Sequence, residues 1–445
     1  MAGQPLSFRM SGFLMAKIFP FRALRYDRRR VPVESAVTQP YDKITPAMQE
    51  RYYAANPYNL VRIILGRDEA QDGAEENVYT RARDSFRQWR REGILAQDGA
   101  PSIYGYWQTF RAPGQSQSCQ RRGFIALGKI EDYGAGVVFR HEQTLAKPKA
   151  DRLNLLRATR AHFGQIFMLY SDPDGEVNAL LTPLGEADVA VKDEYGAEHQ
   201  LWRVSEPRVL DGVARLMAEK KVIIADGHHR YETALNYRDE RRAEAGRADE
   251  EAPYERVMMT FVNMDAPGLV ILPTHRVVFG LKGFAAGRLL EGLSRYFEVT
   301  ALGPVWVNTL VGRLRESAAE TVFCAVTKEG ASLLTARPGA AEAILDGYSP
   351  RQRVLDVTQL HAVMLEAALG ISREDVREQK HVLYLRDAEE AMAKVASGQA
   401  DVAFLMNPVR IEQMRDVAFA GEVMPQKSTD FYPKLLSGLT IYALD

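Results

Sequence analysis

The sequence predicts an α+β protein with large mixed α/β regions, and three observations carry that expectation. Short apolar runs bounded by turn residues, such as "VIIA" at 222–225 and "VAFLMNP" at 402–408, read as buried strands. Stretches with apolar residues at helical spacing, such as Val78, Ala82, Phe86 and Trp89 or "PRVLDGVARLMAEKK" at 207–221, read as amphipathic helices. The two kinds interleave with no internal repeat and no long linker, and no apolar run approaches the ~20 residues of a membrane span.

The bulk numbers narrow the function classes. At 445 residues the chain is long enough for two or three domains of ~100–200 residues and for a large core. The 57 basic and 58 acidic residues leave a net charge of −1, so no dedicated nucleic-acid binder is expected. Two cysteines, Cys119 and Cys324, lie far apart without a Cys-x-x-Cys pattern, which disfavours a disulfide framework or a cysteine-rich zinc site and points to the reducing cytoplasm. Residues 1–16 have no apolar core of signal-peptide length and read as a tail.

In chain order, "KIFPFRALRYD" (17–27) reads as a strand and a loop carrying Arg22 and Arg25. Thr45 and Pro46 form an N-cap and first helical residue, and "NLVRIIL" (59–65) reads as a strand. A helix over 77–96 ends at Gly93, and two strands (102–111, 122–130) flank a hairpin-type turn. Residues 138–163 begin polar and become helical near Ala150, and a strand from 165 meets an Asp-Pro-Asp-Gly turn. Further strands fall at 194–206, 222–225, 256–265 and 269–280, with helices at 207–221 and 231–246. Helices and strands alternate over 281–405, with a helix at 353–370 ended by Gly370. A helix at 410–421 ends at Gly421. The expected organisation is a tail (1–16), a core (17–280), an α/β elaboration or second domain (281–405) and a C-terminal segment (406–445) that returns to the site.

The densest chemistry is "VIIADGHHRYETAL" at 222–235. A strand that ends in Gly227 and enters a helix presents backbone N–H groups at the positive end of the helix dipole, which suits phosphate. Arg230 can fork onto phosphate oxygens, and His228 and His229 can donate to phosphate or move protons. The plainer reading makes Asp226 a helix cap and the histidines solvated first-turn residues. A shared metal is disfavoured, because neighbours on a helix point about 100° apart. The second cluster, "RHEQTLAKPKADR" at 140–152, places Arg140, His141, Glu142, Lys147 and Lys149 together; it suits a polyanion or is a solvated charged loop. Three further sets are candidates: His275 and Arg276 inside an apolar strand, Lys427, Ser428 and Thr429 with Asp430 beside them, and Asp42 in "QPYDKI". No Walker loop, Gly-x-Ser-x-Gly elbow or Gly-x-Gly-x-x-Gly is present, and Cys119 has no nearby histidine.

The segments "IFPFRALRYD", "PYDKIT", "NPYNLVRIILG", "HEQTLAKPKADRLNLLRA", "ADGHHRYETAL", "PTHRVV" and "MNPVRIEQMRDVAFAGEVMPQKSTDFYPKLLSGL", in that order, resemble the domain-of-unknown-function 1015 family from about residue 17 onward. More distantly, "DGHHR" is similar to the Asp-Gly-His-x-Arg element of free-serine kinases, whose fold is that of partition protein B and sulfiredoxin. Gly227 and Arg230 match the Gly-x-x-Arg phosphate turn of that fold, while the cysteine that sulfiredoxin chemistry needs is absent at 228. This resemblance implies a partition-protein-B/sulfiredoxin-like core binding ATP or ADP with Mg²⁺, with phosphoryl transfer to a small, serine-like hydroxylated substrate. It also implies an acidic residue early in the chain acting as base, for which Glu34 and Asp42 are the choices; Glu142 and His229 are further catalytic candidates. Two alternatives stand beside it: a nucleotide or phosphometabolite sensor without turnover, and a metal-dependent hydrolase or isomerase using His228 and His229. A homo-oligomer is compatible with all three.

Overall fold

Most of the apolar runs become strands, and their burial shows why. In Ile166–Tyr170, Ile166, Met168 and Tyr170 enter one apolar cluster while Phe167 and Leu169 enter another. In Val222–Asp226, Val222 and Ile224 join the first of these clusters, and Ile223 and Ala225 the second. Side chains alternate with period two, so a strand covered on both faces must be apolar at every position. The computed structural model in which these strands lie describes residues 15–142, 146–182, 185–303, 305–318 and 320–445, with the backbone alone for 146–148.

The protein is mixed α/β, with two main sheets. The first has nine strands. Its path runs Val138–Phe139, Val222–Asp226, Ile166–Tyr170, Arg256–Asn263, Ser118–Lys129, Ile103–Arg111, Glu198–Val204 and Val189–Lys192, with Ile18–Phe19 paired onto Ser118–Lys129. Parallel and antiparallel pairs are mixed: Val222–Asp226 runs antiparallel to Ile166–Tyr170 and parallel to Val138–Phe139. The second sheet has six strands, in the order Phe297–Gly303, Gly330–Ala336, Val322–Thr327, Val402–Met406, His275–Val278 and Val382–Leu385. One apolar cluster is common to both sheets, containing Phe167 and Leu169 from the first and Val402, Phe404 and Met406 from the second. A small extra pair, Val270–Leu272 with Asp430–Tyr432, brings the C-terminal segment alongside.

Local signals act as expected at several helix ends. The Thr45 side chain accepts from the Met48 N–H and starts Pro46–Ala55, and Asn77 caps Val78–Arg91 in the same way. The run at 59–65 departs from the expected strand: Val61–Ile64 is one helical turn. The Asn59 carboxamide oxygen accepts from the Val61 N–H at 2.9 Å and nucleates that turn, which buries Val61, Ile63 and Ile64. The expected helix over 353–370 is divided: Asp356–Gln359 is α-helical, and Leu360–Ala368 is a widened π-helix. The chain leaves it through Gly370 at φ 68.

Candidate functional site

At one end of the shared core lies a cavity of about 590 Å³, walled on one side by residues 225–230, Asp42 and Glu142, on another by Thr274 and Leu383–Arg386, and closed by residues of 427–434. The strand-to-helix joint sits in its wall. A register shift between Ile224 and Asp226 marks a bulge at the end of Val222–Asp226, and bulges re-aim side chains beside functional sites. Gly227 follows in the left-handed region at φ 93, and His228–Ala245 starts directly after it. No side chain among the described residues caps that helix. Its first-turn amides therefore lie at the cavity wall as an anion-accepting end.

Asp226 is held by two cations. Its Oδ2 accepts from Lys434 Nζ at 2.8 Å and its Oδ1 lies 3.7 Å from Arg230 Nη2. Burial works to raise this carboxyl, and Lys434 and then Arg230 overcome it, so it stays ionised far below the usual carboxylate range. Lys434 also lies 3.0 Å from Asp430, which Arg386 pairs at 2.6 Å. Burial works to lower the Lys434 pKa; Asp226 and Asp430 reverse that and hold it charged. Arg230 folds back along the turn and donates to the Gln165 carbonyl. A Cβ on Gly227 would stand 3.0 Å from its guanidinium, so glycine is required both for the backbone angle and for the close approach.

The histidines are mostly inside. His141 is fully buried; its Nδ1 donates to the Ile224 carbonyl at 2.7 Å, which leaves Nε2 to accept the Thr429 hydroxyl at 2.8 Å. Burial pushes its pKa down to about 4. Its ring meets that of His228 edge-on at 4.8 Å. His228 is also shifted well down by burial, and then by His141; its Nε2 is enclosed with no hydrogen-bond partner among the described residues. His229 lines the cavity and is lowered by burial.

Glu142 faces the same space. One carboxylate oxygen accepts the backbone N–H of Lys427, and burial raises its pKa, with the Lys427 charge opposing. Lys427 itself adopts φ 55, an unusual angle for a side-chain-bearing residue, and the buried Arg276 donates to its carbonyl at 3.1 Å. The 426–430 loop is thus fastened to the first sheet through His141 and Glu142 and to the second through Arg276. Lys43, next to Asp42, also faces the cavity, and burial followed by the Lys434 charge lowers its pKa.

Of the residues anticipated from sequence, Asp42, Glu142, Asp226, Gly227, His228, His229, Arg230, Lys427 and Thr429 line this cavity. Others do not. Arg140 and Lys149 turn to the flank of helix His228–Ala245, where both pair with Glu232 and Arg140 lies over Tyr133. Lys147 falls within 143–148, whose side chains lie outside the described residues. Arg22 donates to the Asp98 carbonyl and Arg25 pairs with Asp98, both away from the cavity, while Glu34 is exposed on the short helix Val33–Ala36. The Ser428 hydroxyl donates to the Pro425 carbonyl and shapes its own turn. His275 is buried, accepting from the Met406 N–H, and lines a different cavity. Sequence reading placed Asp430 beside the Lys427 set but missed Lys434, Lys43 and Arg386. The proline-flanked "YPKL" was the only trace of Lys434, and nothing in it names a partner 208 residues away.

This is a mixed α/β chain with a cation-lined cleft at a strand–Gly–helix joint, and its family is now plain. The chain belongs to the DUF1015 family, described as protein of unknown function, which matches residues 18–358. Among curated proteins none matches. Solved structures similar to it include a conserved hypothetical protein from Pyrococcus furiosus (14% identity, 69% of this chain and 92% of that one, TM-score 0.34). A free serine kinase in complex with AMP is similar at 15% identity over 68% and 89%, TM-score 0.34. SbnI from Staphylococcus aureus, truncated at its C-terminus, is similar at 10% identity over 72% and 87%, TM-score 0.36. At that level of superposition they carry no weight for fold or chemistry. No helix among the described residues is long and apolar enough to cross a membrane.

Proposed function

We propose that the cleft binds a nucleotide by its phosphates and that the protein transfers a phosphoryl group to a small hydroxylated metabolite. The observation that carries this reading is the strand–Gly227–helix joint at Asp226–Arg230, which lies in the wall of a cavity that also holds Lys43, Lys427 and Lys434. In it, the amides after Gly227 and the Lys427 ammonium bind phosphate oxygens, and the His228 Nε2 supplies a further donor or acceptor. Glu142, a carboxylate whose pKa burial raises, takes the proton of the substrate hydroxyl, and Asp42 is a further carboxylate lining the cleft. The same reading takes the joint as the phosphate turn of a partition-protein-B/sulfiredoxin-like core, supplied from a cytoplasmic nucleotide pool.

Mg²⁺, if bound in such a site, would offset the charge of the phosphates. Asp226 and Asp430 spend their oxygens on Lys434, Arg230 and Arg386, so Asp42 and Glu142 are the carboxylates that could hold the ion. No three His, Cys, Asp or Glu side chains gather as metal ligands among the described residues. A Mg²⁺ carried mainly by phosphate and water fits that donor set.

Incubation with Mg-ATP or Mg-ADP and a panel of hydroxylated metabolites, amino acids included, tests the reading. The expected result is a phosphorylated product that Glu142→Gln abolishes and Asp42→Asn reduces. Nucleotide binding without product, unchanged by either variant, makes the protein a sensor. Absence of nucleotide binding by the wild type removes the reading.

A further inference from the structure

Arg121 is 1% exposed, and its donors reach no carboxylate among the described residues; all go to neutral oxygens. Its Nε and Nη2 bond the Gln108 carboxamide oxygen, Nη1 donates to the Tyr432 carbonyl at 3.2 Å, and Nη2 also donates to the Pro433 carbonyl. The guanidinium lies over the Phe167 ring at 4.7 Å. Gln108 completes the set: its Nε2 donates to the Lys434 carbonyl at 2.9 Å. Three successive carbonyls, 432 to 434, are therefore pinned by two side chains from neighbouring strands of the first sheet. A buried cation without a counter-ion is costly, and a position that keeps one needs a reason beyond packing.

The reason lies one side chain further on. Lys434 Nζ stands between Asp226 at 2.8 Å and Asp430 at 3.0 Å, and Asp226 leads directly into the Gly227 turn. We propose that Arg121 and Gln108 are positioning residues: they fix the Lys434 backbone so that its ammonium holds Asp226 and sets the anion turn for a phosphate-bearing ligand. This rests on the nucleotide reading for the ligand but not for the Lys434 geometry, and the two can be tested apart.

Competitive amine labelling of the full chain with acetic anhydride, read by mass spectrometry, reports Lys434 with no ligand present. Both Arg121→Met and the milder Gln108→Leu are expected to raise Lys434 labelling at least about tenfold, the ratio for loss of one charge-linked hydrogen bond. Lys149 and Lys221 should label as in the wild type. Unchanged Lys434 labelling, or a rise shared by all three lysines, overturns the proposal. In parallel, ADP affinity is measured for wild type, the two variants, Lys434→Gln and the double variants. The single variants should weaken ADP at least about threefold, and the loss should vanish in the Lys434→Gln background, since residues acting through one another are not additive. A loss that persists undiminished in that background also overturns it. Altered labelling with no ADP bound by the wild type sinks the nucleotide reading and leaves the positioning role standing.

Discussion

The stretches 140–152 and 222–235 are both dense in cations and histidines, and the fold uses them differently. The second delivers Asp226, His228, His229 and Arg230 to the cleft, where a bulge, a left-handed glycine and a helix start follow one another in the backbone. The first is split. His141 and Glu142 reach inward and anchor the 424–430 loop, whereas Arg140 and Lys149 spend their charge on Glu232 at the helix flank. Charge density marks a candidate, but backbone direction decides which charges share a site.

The sharpest test of that comparison is Lys434→Met, which leaves Asp226 and Asp430 without their common cation. Unfolding in urea should show a loss of about 3–5 kcal/mol, the usual cost of breaking a buried pair. A loss under 1 kcal/mol would put the aspartates in open solvent and dissolve the distinction between the two stretches.

Acidification comes next. His141 and His275 are each held at about 4 by burial, against an unfolded value near 6.5. The unfolded chain therefore binds more protons between these values, so stability is full above about pH 6.5 and falls as pH drops toward 4. Each histidine should contribute about 2–3 kcal/mol to that fall. Comparing His141→Gln with wild type in urea at pH 7 and pH 4.5 checks it: the variant should show the shallower dependence.

Gly227→Ala should cost about 1–2 kcal/mol, because alanine is strained at φ 93 and its methyl displaces the Arg230 guanidinium. Thermal unfolding measures the cost, and phosphate binding should fall with it. The smallest effect belongs to the other stretch. Arg140→Ala removes a 3.8 Å pair with Glu232 and the cation over the Tyr133 ring, and should change stability by under about 1 kcal/mol. It should leave ADP affinity unchanged by calorimetry; a tenfold loss would return Arg140 to the site.

Much of this was legible in the residues. Thr45-Pro46 and the apolar runs fixed local structure because caps and period-two burial act over a few positions. The joint at Asp226–Arg230 was legible for the same reason: glycine, strand end and helix start are adjacent in sequence. What escaped was non-local. Lys434 and Arg386 carry no distinguishing neighbours, and only the fold brings Lys434 to Asp226 and Arg386 to Asp430. "NLVRIIL" misled because its five apolar residues suit a strand or a buried turn equally, and one Asn59 hydrogen bond chose the turn.

The separation of Asp226 from Lys434 also sets a schedule on the ribosome. Their contact spans 208 residues, so at ~5–20 residues per second the aspartate is synthesised roughly 10–40 s before the lysine that neutralises it. During that interval the nascent chain carries an anion turn whose own carboxylate has no Lys434. The cleft is therefore complete only after residues 426–434 have been made.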